Sequence, residues 1–172
     1  MKAIKFFLLA VSIFSFAKVS MAQEMQPPPP IENKAFAMAV GEWAAEPYTM
    51  MGNQITSETD KIYMKHNGQF MVVEIDGMDA AGNNYTATIF TTVDKDGNIK
   101  GWSFDVWGGD WTMTYTGKAE GNTITLNGTN PMMSETRVIT LEDNKMTHDV
   151  DFTIKMPTGD VNEKLTTVYN KK

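Results

Sequence analysis

Met146, His148, Val150, Phe152, Ile154 and Met156 alternate with Thr147, Asp149, Asp151, Thr153 and Lys155. A period of two sustained over that length predicts a strand with one face indoors and the other in water. Trp111, Met113 and Tyr115 alternate in the same way with Thr112, Thr114 and Thr116, and Trp102, Phe104 and Val106 share a face just before them. Tight-turn residues punctuate such stretches: Gly52-Asn53, Asn67-Gly68, Gly82-Asn83, Asp96-Gly97-Asn98 and Gly108-Gly109-Asp110. Gly121-Asn122, Asn130-Pro131, Asp143-Asn144 and Pro157–Asp160 continue the series. Gly and Asn tolerate the positive φ that short hairpins need. Nine turns predict ten strands, each beside the next. Closing such a meander on itself removes its edges, so the pattern predicts an all-β fold: a single antiparallel barrel of about ten strands.

Turn lengths then predict register. A four-residue turn at Trp107–Asp110 would pair Phe104 with Met113 and Trp102 with Tyr115, turning all these aromatic and apolar side chains to one face. The turn Glu142–Lys145 pairs Leu141 with Met146, Ile139 with His148 and Arg137 with Val150. A four-residue turn at Pro157–Asp160 pairs Met156 with Val161, Phe152 with Leu165 and His148 with Tyr169. Arg137, His148 and Tyr169 thereby share the inner face.

Ahead of the strands, Ile31–Val40 carries Ala35, Phe36, Ala37, Met38 and Val40 and predicts a short helix, with Asn33 as its N-cap. Gln23–Pro30 ends in four prolines, which join neither helix nor ladder and predict an extended spacer across residues 23–34. Residues 1–22 have the form of an export signal: Lys2 and Lys5, an apolar run from Phe6 to Ala17, and Ser20-Met21-Ala22 as a small-x-small cleavage site after Ala22. The apolar run is shorter than the roughly 20 residues a bilayer span requires. The expected product is periplasmic or secreted, without a membrane span, and its barrel occupies residues 35–172.

Composition narrows the function. There is no cysteine, so disulfides, thiolate chemistry and an acylated N-terminal cysteine are excluded. The chain's net charge is −6; without the leader's three lysines, 12 basic residues face 21 acidic ones, a net −9. Such a surface repels phosphate backbones and argues against nucleic acid as a partner.

Gly41-Glu42-Trp43 follows the predicted helix and opens the first strand. The arrangement resembles the Gly-x-Trp opening of lipocalins and of the wider calycin group. With His66-Asn67-Gly68-Gln69-Phe70, the Gly97 turn before Trp102 and the ending Tyr169-Asn170-Lys171, residues 35 to 171 are similar to an uncharacterised lipocalin-like family of secreted bacterial proteins. The resemblance implies a lipocalin- or fatty-acid-binding-protein-like barrel around an internal pocket. Lipocalins cover the Trp with an Arg from the last strand; this chain has Lys171 there.

A guanidinium on an apolar face needs an anionic or hydrogen-bonding partner. Arg137 either holds a ligand carboxylate or phosphate, assisted by His148 and Tyr169, or pairs with Glu135 or Glu163. Trp102, Phe104, Trp111, Met113 and Tyr115 form an apolar wall, either pocket lining or plain core. The expected ligand is a small apolar or amphipathic molecule, such as a lipid acid, and no cofactor is implied. Met64-Lys65-His66 and Met146-Thr147-His148 repeat a thioether–imidazole pattern that suits copper, or equally core filling and a turn. Glu74 with Asp76, and Asp149 with Asp151, read as solvated outer pairs, and no catalytic motif occurs. Two alternatives stand beside the binding protein: an enzyme moving a proton between His148 and Tyr169, and an interaction module with a filled barrel.

Overall fold

A computed structural model describes residues 27–172. The export signal, its cleavage point and the first four spacer residues lie outside the described residues.

Helix α1 (Lys34–Ala39) begins where predicted: the Asn33 side chain accepts from the Phe36 N–H at 3.2 Å. Eleven strands follow: β1 (Gly41–Ala45), β2 (Tyr48–Met50), β3 (Asn53–Lys65), β4 (Phe70–Asp79), β5 (Asn84–Val93), β6 (Asn98–Asp105), β7 (Met113–Glu120), β8 (Thr123–Thr129), β9 (Met133–Leu141), β10 (Lys145–Ile154) and β11 (Val161–Lys171). All nine predicted turns join neighbouring strands. The additional strand arises because the first one breaks at Glu46-Pro47. Proline has no N–H for a ladder and constrains the residue before it.

Each strand from β3 to β11 pairs antiparallel with the next, and β1 closes the wall by pairing with β11 on one side and β3 on the other. Strand β2 pairs with β3 alone. Between β2 and β11 the wall is held instead by the Met51 N–H, which donates to both carboxylate oxygens of Glu163 at 3.0 and 2.8 Å.

Helix α1 covers one end of the barrel. The Ile31 N–H donates to the Gly68 carbonyl at 3.1 Å, and the Asn33 side-chain amide donates to the Ala119 carbonyl at 3.2 Å. Ala35, Phe36 and Ala39 are buried against Trp43, which is fully enclosed. The Trp43 indole N–H donates to the Ala39 carbonyl at 2.7 Å. Lys171 pairs with Trp43 across β1–β11 and sets its ammonium 5.1 Å from the ring centroid, a cation–π cover in the place where lipocalins have Arg. Gly41 has φ +146, and a Cβ there would meet Lys171 Cε at 2.8 Å, so the motif's glycine leaves space for that cover.

Two register predictions need correction. The β6–β7 connection is not a four-residue turn. It runs from Val106 to Thr112 through a 3-10 turn at Gly109–Trp111, opened by the Asp105 carboxylate accepting from the Trp107 and Gly108 N–H groups at 2.9 and 3.1 Å. The ladder starts at Ser103 with Met113 and puts Gly101 opposite Tyr115, one residue from the expected pairing. A one-residue slip reverses every side chain, so Trp102, Phe104 and Val106 lie outside, while Met113 and Tyr115 lie inside.

The β10–β11 hairpin differs by two residues. Its connection spans six residues, Lys155–Asp160, so Met146 pairs with Tyr169, His148 with Thr167 and Phe152 with Glu163. Because the period is two, that slide preserves faces, and Tyr169 still points inward. The β9–β10 register is the predicted one, Arg137 opposite Val150 and Ile139 opposite His148. Glu74, Asp76, Asp149 and Asp151 are exposed, as the alternation requires.

Candidate functional site

The inner face of the barrel carries an unusual amount of polar chemistry. Glu58 and Asp60 sit on β3 at a spacing of two, both buried, on the same face as Ile62. Glu58 accepts from three phenols: Tyr48 at 2.6 Å and Tyr85 on Oε2, and Tyr169 on Oε1. On β9, Glu135 Oε2 receives Arg137 Nη2 at 3.2 Å. Arg137 thus has Glu135, one of the two expected protein partners; the other, Glu163, serves the rim at Met51.

Below this cluster lies a cavity of about 40 Å³, lined by Asp60, Tyr115, Arg137 and His148 among aliphatic and thioether side chains such as Met71 and Met146. That is room for about three waters or a compact group. The Arg137 side chain is 22% accessible although it projects into the barrel, so its free surface faces this space.

Several polar atoms here have no protein partner: Asp60 Oδ1, Glu135 Oε1, Arg137 Nε and both ring nitrogens of His148. Such groups are costly, about 1–3 kcal/mol each when left unpaired, and native interiors hold few of them. Burial, with the Glu58 charge next to it, holds the Asp60 carboxyl well above the usual carboxylate range. Burial and then Arg137 hold His148 well below its ordinary value, so the ring is neutral. Burial works against the Arg137 charge, but Glu135, Tyr115 and Tyr169 together outweigh it and keep the guanidinium charged. The Tyr48, Tyr85 and Tyr169 phenols are raised, chiefly by burial. Tyr115 is pushed up to about 12 by burial and then Glu135.

A pH prediction follows from His148. The unfolded chain takes up its proton near 6.5, while the folded chain refuses it until well below that. The stability this gives is complete above pH 6.5 and is lost as pH falls from there toward the depressed folded value, at most about 1.4 kcal/mol per pH unit. Thermal melts of wild type and His148→Leu at pH 7.5 and 5.0 isolate it. The wild type should lose more on acidification than the variant; equal losses would refute the assignment.

The eight residues expected to line a pocket are distributed unevenly. Tyr115, Arg137 and His148 line the cavity. Met113 is buried beyond Tyr115, whose hydroxyl donates to its sulfur at 3.5 Å, and Tyr169 serves Glu58. The His148 and Tyr169 rings touch, with centroids 4.5 Å apart, but share no hydrogen bond. Trp111 is half-buried in the β6–β7 connection, its ring 5.9 Å from that of Trp107. Trp102 and Phe104 line a different feature, an outer groove of about 230 Å³ with His66, Phe70 and Phe90. His66 is therefore outside the wall and His148 inside it, so the two thioether–imidazole pairs do not converge.

Sequence reading missed Glu58, Asp60, Tyr48 and Tyr85. One signal was available: Glu58 and Asp60 continue the alternation of Ile62 and Met64 on one face, against Thr59, Lys61 and Tyr63.

No family model matches the chain, and no curated protein matches it. Solved structures do. The chain is similar to Rv2717c from M. tuberculosis, at 13% identity and a TM-score of 0.63, over 81% of this chain and 96% of that one. It is also similar to the S-type phycobiliprotein lyase CPES from Guillardia theta, at 10% identity and a TM-score of 0.57, over 80% of this chain and 90% of that one. At such identities the likeness shows the fold alone. The chain has a calycin-type, lipocalin-like β-barrel, and among the described residues no helix is long and apolar enough to cross a membrane.

Proposed function

We propose that the protein is an exported carrier or receptor that holds a small apolar or amphipathic molecule inside its barrel. The observation that carries this reading is the set of unpartnered polar atoms on Asp60, Arg137 and His148, all three lining one interior cavity. An interior selected for stability alone would pair or omit them, because apolar replacements of similar shape are neutral or better. Apolar walls around a few convergent polar groups are the ordinary make-up of a small-molecule site. Met71 and Met146 can change rotamer and enlarge the space for a guest. Export rests on the leader pattern of residues 1–22.

Native mass spectrometry of the protein purified from its own cells tests this reading. The expected spectrum contains an adduct of small-molecule mass that organic solvent removes. Repeated spectra of the bare chain alone would reject the proposal.

A further inference from the structure

We propose that the guest's polar end is a hydrogen-bond donor, an ammonium above all, and that Asp60 receives it; this rests on the binding reading above. The argument begins with charge. Three buried carboxyl groups face the interior, Glu58, Asp60 and Glu135. Among the described residues every lysine side chain is exposed, so Arg137 is the sole inward cation. His148 adds no charge, since its ring is neutral.

The partners are allocated unequally. Three phenol hydroxyls converge on Glu58, and Arg137 is bound to Glu135 at 3.2 Å. Asp60 is 1% exposed, lines the cavity, and has an oxygen with no donor. A ligand carboxylate would compete with Glu135 for Arg137 and would sit among surplus carboxyl groups. A ligand ammonium would meet the opposite situation: a carboxyl that forms no ion pair and has an oxygen without a donor, in an apolar enclosure where pairing is strong. The raised proton affinity of Asp60 is the same deficit seen from the protein's side. Of the groups facing Asp60 from other strands, the Arg137 charge offsets this deficit only in part. Tyr48, Tyr85 and Tyr169 are directed at Glu58, and Arg137 at Glu135. The walls are aliphatic, and the space is about 40 Å³, so the body carrying the ammonium is compact and apolar.

Three compact probes separate the possibilities: ethylamine, ethanol and acetate, titrated calorimetrically into the purified protein near neutral pH. Ethylamine should bind at least tenfold more tightly than ethanol, and ethanol more tightly than acetate. In Asp60→Asn, ethylamine should fall at least tenfold, to the level of ethanol, while ethanol is unchanged. Equal affinity for all three, or a preference for acetate, would overturn the donor assignment and leave the chamber standing. Silence from all three overturns it as well, and a bare chain in native mass spectrometry would then remove the chamber too. The wild-type ranking decides the matter even if the variant fails to fold.

Discussion

Glu58→Ala should destabilise the protein by about 2–3 kcal/mol, because one buried and two half-buried hydroxyls lose their common acceptor at once. The carboxylate ties together strands that are remote in sequence. Tyr48 reaches it from β2, Tyr85 from β5 and Tyr169 from β11, so the loss is felt on both sides of the closure. The Tyr48 and Tyr85 hydroxyls lie 3.2 Å apart and can pair with each other, so the cost falls chiefly on the buried Tyr169, at about 1–3 kcal/mol for an unpaired phenol. Glu58→Gln keeps one acceptor oxygen and should lose roughly half as much. Urea unfolding monitored by tryptophan fluorescence measures both. A Glu58→Ala loss below about 1 kcal/mol would mean that the phenols find other partners and that Glu58 is not the hub of the interior.

Trp43→Ala should be more severe, at about 3–5 kcal/mol, the range for removing a large aromatic from a closed core. The indole is fully enclosed, donates to the Ala39 carbonyl at 2.7 Å, and supports Phe36 on one side and Lys171 on the other. Its removal empties the floor on which α1 rests. Trp43→Phe keeps most of the apolar contact and loses the hydrogen bond and part of the cation–π cover, a deficit of about 1–2 kcal/mol. The same urea experiment ranks the pair. Equal losses for Ala and Phe would show that the N–H, and not the packing, holds the floor.

How far the fold was legible depends on what set each register. The β9–β10 pairing was readable because Glu142 and Lys145 close a short turn, the Glu142 N–H donating to the Lys145 carbonyl at 2.8 Å, which leaves the strands no freedom. The β10–β11 pairing slid because Pro157 follows two residues that leave the ladder, and alternation cannot detect a shift of two. The β6 face was read backwards for a more instructive reason. Its large apolar residues lie outside, because Gly101 and Ser103 face inward to make room for Tyr115. A Cβ at Gly101 would lie 2.8 Å from the Phe90 carbonyl oxygen and 3.4 Å from Tyr115 Cβ. Small residues opposite large ones fill a curved interior, and hydrophobicity alone does not show that. Arg137 and His148 were found because they interrupt an otherwise apolar alternation. Glu58 and Asp60 escaped because acidic residues on a strand are ordinarily outside.

The break at Glu46-Pro47 has a mechanical meaning. Over the length of β2 the cylinder is not laced by backbone amides on both sides, and one carboxylate, Glu163, bridges the slit at Met51. Pushing β2 aside therefore sacrifices a side-chain clasp and spares the rungs of every other strand pair. The seam is the most lightly fastened line of the wall, and it runs beside Tyr48, one of the phenols that hold the polar hub together.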